Sequence, residues 1–179
     1  MKKIKEYKSV MNDKVGIRIN GNESCKNIEK NELDEIIKEI KKINFNRYPD
    51  DESLNLRKAY AEVVGIGEEN VIAGNGSDEM ISLIINYQIT KKKVVLTINP
   101  DFSMYDFYTS LNEGVVKKYN TENDGSFSVA RFIEYGRRVN PNLIIFSNPN
   151  NPTGHVISND EIIFILEAFK DILIVVDEA

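Results

Sequence analysis

The sequence predicts an α/β protein: a mostly parallel sheet with helices on both faces, preceded by an N-terminal arm and a helix. Three observations predict it. From Asn70 onward, short β-branched runs alternate with stretches of helical periodicity. The runs are apolar almost throughout, as strands covered on both faces are. Finally, a turn rich in Asn, Pro and Gly, Ser147 to Gly154, precedes an apolar run that ends in Asp177 and Glu178. A carboxylate at the end of a buried strand puts a fixed charge at the carboxyl edge of the sheet, where open α/β folds bind ligands.

In chain order, Leu33, Ile36, Ile37, Ile40 and Ile43 recur at helical spacing, and Asn31 with Asp34 resembles a capping box, so a helix is expected over residues 32–43. Ser53 offers an N-cap for a second helix through Leu56, Ala59, Tyr60 and Val63, which Gly65 or Gly67 would end in a left-handed turn. Strands are expected at Val71-Ile72, Val94–Ile98, Val115–Tyr119, Leu143–Phe146 and Ile172–Val176. Helices are expected at Asp78–Tyr87, Ser103–Leu111, Val129–Val139 and Asp160–Phe169. Residues 1–50 read as the arm and connecting helix, and residues 51–179 as the main domain.

A chain of 179 residues with 41% hydrophobic content can bury one full core. Its net charge of −5, with both signs interspersed, argues against a nucleic-acid partner, and Lys91-Lys92-Lys93 reads as a solvated loop. The single cysteine, Cys25, allows no internal disulfide, which points to a cytoplasmic protein. Met1 to Ser9 is too charged for a signal peptide, and no apolar run is long enough to span a bilayer, so no membrane role is expected.

Several residues have the chemistry of a site. Gly74-Asn75-Gly76-Ser77-Asp78-Glu79 lies between an apolar run and an amphipathic helix, where a helix N-terminus binds phosphate well; a plain N-cap turn is the alternative. It fits neither the dinucleotide fingerprint nor the P-loop. Asp177 could cap a turn, or hold a heteroaromatic nitrogen in its protonated form. The amide of Asn151 could donate to a ring oxygen or form an Asx-turn. Phe102 could stack on a planar ring or belong to the core, and the hydroxyl of Tyr48 could reach a phosphate or lie on a surface turn. His155, the one histidine, reads as a loop residue, and no metal-ligand cluster is present.

In family order, Asn22-Glu23-Ser24 after Ile17-Arg18-Ile19, Arg47-Tyr48-Pro49-Asp50, Leu56-Arg57, Gly74 to Glu79, Pro100 to Tyr105, Asn148 to Gly154 and Val176-Asp177-Glu178-Ala179 resemble the fold-type I pyridoxal-phosphate aminotransferases of class I/II, most closely the histidinol-phosphate aminotransferase group. The resemblance implies the first half of a large cofactor-binding domain. Ser77, Asp78 and Glu79 would surround the cofactor phosphate, Phe102 would stack on the pyridine ring, Asn151 would bond its O3′ oxygen and Asp177 its nitrogen. Tyr48 would reach the partner's cofactor in a homodimer, and Asn22 and Glu23 would border the substrate pocket. The implied reaction passes an amino group between a phosphorylated amino-alcohol or amino acid and a 2-oxo acid.

Two local departures stand out. The family usually has Tyr where Phe102 stands, and Asn-Pro where this chain has Ser24-Cys25. Family members also run about twice as long, and the Schiff-base lysine falls in the half this chain lacks, so the chain reads as an N-terminal half that is inactive alone. A threonine-phosphate decarboxylase of the same fold, a non-catalytic phosphate-binding module and a nucleotide-binding domain are the competing readings, the last being the weakest.

Overall fold

The structure, a computed structural model, describes residues 21–179; Ile17-Arg18-Ile19 lies outside the described residues. The chain divides into two compact units, whose described parts are residues 21–73 and 74–179.

The first unit is helical. Helix α1 spans Lys30–Ile40 and α2 spans Leu54–Val64, followed by a 3-10 turn at Glu68–Asn70. The expected box at Asn31 and Asp34 does not form. The helix starts earlier, with extended Glu29 at its N-cap and no side-chain cap, so Asn31 falls inside the first turn. Ser53 does occupy the N-cap of α2, but in a left-handed conformation without a side-chain bond. The Asp50 carboxylate caps that helix instead, accepting the amides of Glu52 at 3.2 Å and Leu54 at 2.8 Å. Gly65 ends α2 at φ +75°, a conformation glycine adopts without a Cβ penalty. Arg57 ties α2 to the 3-10 turn by donating from Nη2 to the Glu68 carbonyl at 2.8 Å. Val71-Ile72 is not a strand. Two β-branched residues between the 3-10 turn and Gly74 find no neighbour to pair with among the described residues, and Ile72 is 80% exposed.

The second unit is the α/β sandwich. Its elements are α3 (Gly76–Gln88), β1 (Val94–Asn99), α4 (Met104–Leu111), β2 (Val115–Asn120), α5 (Val129–Val139), β3 (Leu143–Ser147), α6 (Asn159–Ala168) and β4 (Leu173–Asp177). The strands run in the order β2-β1-β3-β4 and every pairing is parallel. Right-handed crossovers explain the layering. The connection through α4 moves the chain one way along the sheet, and those through α5 and α6 move it the other way, so the helices fall on opposite faces.

Strand alternation divides the core accordingly. Leu96, Ile98, Ile144 and Phe146 pack with Phe132, Ile133 and Ile165 of α5 and α6. Val95, Leu143 and Ile145 pack with Ile81, Ile85 and Tyr105 of α3 and α4. Each fully buried side chain of this kind contributes roughly 1.5–3 kcal/mol. The same alternation carries Thr97, Ser147 and Asp177 to the α3/α4 face at the carboxyl ends of their strands.

Candidate functional site

Strand β1 leads outward to β2 while β3 leads the other way to β4, so the topological switch point lies between β1 and β3. The segments leaving the strands there are Pro100-Asp101-Phe102 after β1 and Asn148 to Gly154 after β3, and Asp177 closes β4 beside Ser147.

Asp101 is the hub of this edge. Its carboxylate accepts from Thr97 Oγ1 at 3.0 Å, Ser147 Oγ at 2.5 Å and the Phe102 amide at 2.8 Å. Burial penalises the charge and raises its pKa to about 6, against the opposing pull of the bonds from Ser147, Phe102 and Thr97. Tyr105 is fully buried and its hydroxyl donates to Asp177 Oδ2 at 2.7 Å. Burial first, then the bond to Asp177 and the charges of Asp101 and Asp177, push the phenol above its ordinary range, so it stays a proton donor. The other oxygen of Asp177 accepts the Ala179 amide at 3.2 Å, and its backbone carbonyl accepts the Asn148 amide at 2.8 Å.

The turn after β3 contains three asparagines with different duties. Asn148 is buried and bridges the loop, donating to the Ile157 carbonyl at 3.1 Å and accepting the Ile157 amide at 3.0 Å. Asn150, also buried, donates to the Pro100 carbonyl at 3.2 Å and accepts from Thr153 Oγ1 at 2.6 Å. Asn151 is held by its backbone amide, which donates to Ser147 Oγ at 2.8 Å. Its side chain is exposed and has no hydrogen-bond partner among the described residues.

Helix α3 points its N-terminus toward the same edge. Gln88, at its far end, donates to the carbonyl of Asn142, just before β3 begins, so its C-terminus sits at the amino end of the sheet. A helix of 13 residues spans roughly 20 Å, about the length of the strands it covers. At its start Gly76 takes φ +75°, and the Glu79 carboxylate accepts the Asn75 amide. Ser77 and Asp78 are exposed, and their amides have no partner among the described residues. Glu79 thus caps its own helix while the two residues before it face outward.

The structure therefore gathers Phe102, Asn151 and Asp177 at the sheet edge, in the same unit as Ser77, Asp78 and Glu79. Phe102 is half-buried, its ring edge-on to Tyr105 at 5.8 Å. Asn22, Glu23 and Tyr48 lie in the other unit and are exposed. His155 is a loop residue whose carbonyl accepts the Asn150 amide at 2.8 Å. No group that could hold a metal ion occurs among the described residues, and no helix among them is long and apolar enough to cross a membrane.

Asp101 and Tyr105 escaped the sequence reading, although both lie in the segment that yielded Phe102. An acid between Pro and Phe reads as a turn residue. The usable signal was strand parity, which puts Thr97, Ser147 and Asp177 on one face and asks for polar partners there.

Comparison with known proteins gives the family. The model for aminotransferase class I and II matches residues 14–179. A histidinol-phosphate aminotransferase of Clostridium novyi (strain NT) is 41% identical over 99% of this chain and 50% of its own length. The crystal structure of the histidinol-phosphate aminotransferase from Clostridium acetobutylicum superposes with a TM-score of 0.70 at 26% identity, covering 82% of this chain and 42% of its own. The enzyme of that name from Sinorhizobium meliloti, solved in complex with pyridoxal-5'-phosphate, shares the fold at a TM-score of 0.70 and 22% identity, over 74% of this chain and 36% of its own. The chain spans about half the length of the curated relatives it matches.

Proposed function

This chain belongs to the aminotransferase class I and II family, and on that premise we propose that residues 51–179 form the first half of a pyridoxal-phosphate-binding domain. The protein it represents transfers an amino group between a phosphorylated amino donor resembling histidinol phosphate and a 2-oxo acid. It works as a cytoplasmic homodimer, with Tyr48 of one subunit reaching the cofactor phosphate held by its partner.

The carrying observation is the set of uncommitted polar groups at one sheet edge. The Asn151 side-chain amide and the Ser77 and Asp78 backbone amides are donors without partners among the described residues, and no cation among them pairs with Asp177. These fit an aromatic ring that carries a phosphate, a phenolic oxygen and a protonated nitrogen. When bound, pyridoxal phosphate supplies a pyridine ring that acts as an electron sink. Asp177 holds the proton on the ring nitrogen, because an adjacent negative charge favours the ionised form. Tyr105 fixes one oxygen of that carboxylate. Asn151 donates to the ring oxygen, and Phe102 covers a ring face and excludes water. The N-terminus of α3 receives the phosphate through the Ser77 and Asp78 amides, aided by the helix dipole. Glu79 supports that turn by capping Asn75. Asn22 and Glu23 border the substrate.

No lysine of this chain stands in the family's Schiff-base context, so its own binding of the cofactor is reversible. Absorbance titration of the 179-residue chain with pyridoxal phosphate should therefore give saturable binding that borohydride does not fix to one lysine. Asp177→Ala should weaken it by about tenfold or more. Unsaturable binding, or equal affinity in the variant, would overturn the reading.

A further inference from the structure

Asp101 has no place in the roles above, yet it is the most heavily bonded side chain at the site. The groups that face it are Thr97 from β1, Ser147 from β3 and Tyr105 from α4, with Asp177 of β4 beyond the tyrosine hydroxyl. No lysine, arginine or histidine pairs with it among the described residues. A carboxylate placed this way must derive its value from orienting its neighbours, because an unpaired charge in such a place opposes folding.

Its ionised form accepts hydrogen bonds and cannot donate them. The Ser147 hydroxyl has one proton, and that proton points at Asp101. The lone pairs of Ser147 are thereby turned toward the Asn151 amide at 2.8 Å and the Asn150 side-chain amide at 3.3 Å. Asp101 also accepts the Phe102 amide directly. One carboxylate thus sets the direction of two hydrogen-bond paths, one ending at Phe102 and the other at Asn151.

We propose that Asp101 is a positioning residue that holds Phe102 directly, and Asn151 through Ser147, in the arrangement that receives the cofactor ring. The ring is the one assigned under the proposed function, and the assignment of Asp101 rests on that reading. The positioning itself is a property of the unliganded chain.

Two measurements on the full 179-residue chain test it. The first is amide hydrogen exchange by NMR without ligand. Asp101→Ala should lower protection of both the Phe102 and Asn151 amides by about tenfold. Ser147→Ala should lower it at Asn151 alone. Unchanged protection at Asn151 in Asp101→Ala, or equal losses at both amides in Ser147→Ala, would overturn the proposal. Should Asp101→Ala fail to fold, the Ser147→Ala pattern decides. The second measurement compares ligands. Asp101→Ala should weaken pyridoxal phosphate by about tenfold and leave inorganic phosphate affinity unchanged, because only the ring depends on Phe102 and Asn151. Equal weakening of both ligands marks a general structural effect and contradicts the proposal. If the wild-type chain binds no pyridoxal phosphate, the proposed function fails, and the exchange pattern alone judges Asp101.

Discussion

At the scale of single residues, Asp101 exchanges stability for order. Its pKa of about 6 in the folded chain stands against an ordinary value of 3.8. The folded state keeps its proton to higher pH than the unfolded state does, so this group's contribution to stability falls as pH rises from about 4 to about 6 and is level outside that window. At neutral pH the penalty is about 3 kcal/mol. Asp101→Asn should then gain stability relative to wild type at pH 7, and chemical denaturation should show that difference shrinking as pH falls through the window. A difference that is constant with pH would contradict the assignment. Phe102, Asn151 and Asp177 are candidates that local pattern alone suggests, the first just after a strand, the second within a turn and the third at a strand end. Asp101 and Tyr105 were not legible, because their burial depends on Ser147 and Asp177, which come near only once the parallel register is set.

Among the elements, helices α5 and α6 follow the helical periodicity of their own residues, and the structure adds caps that the periodicity does not reveal. Ser128 caps α5, accepting the Arg131 amide, and Ser158 with Glu161 forms a full capping box on α6. The bonds from Ser158 hold the Glu161 carboxyl below the usual range. The Asn31–Asp34 box and the Val71-Ile72 strand failed because a short motif cannot say whether a better cap or a pairing strand lies nearby. Close packing was equally invisible. Gly136 lets α5 lie so near the sheet that a Cβ there would meet Phe169 Cζ at 2.5 Å and Leu96 Cδ2 at 3.1 Å. Although alanine favours helices, Gly136→Ala should cost about 1–3 kcal/mol through overpacking. An unchanged denaturation midpoint would show that the helix can move away without cost.

For the whole molecule, topology is what assembles the site. The reversal of strand order between β1 and β3 sets the segments that leave these strands side by side, and strand parity turns Ser147 and Asp177 toward Asp101 and Tyr105. Among the described residues the same sheet leaves β4 at one edge, with Leu173 43% exposed and Ile163 and Phe164 of α6 half exposed. Unpaired backbone groups beside apolar side chains invite another strand. The chain should self-associate as its concentration rises, and Leu173→Lys should reduce that association; sedimentation showing a single monomer at all concentrations would contradict this. One sheet edge and the start of α3 are proposed to receive pyridoxal phosphate together, and a 15N NMR footprint of the ligand checks this at the level of single amides. Saturable shifts should concentrate at Ser77 to Glu79, Phe102, Asn151 and Asp177. Shifts scattered over surface lysines, or none at these residues, would contradict it.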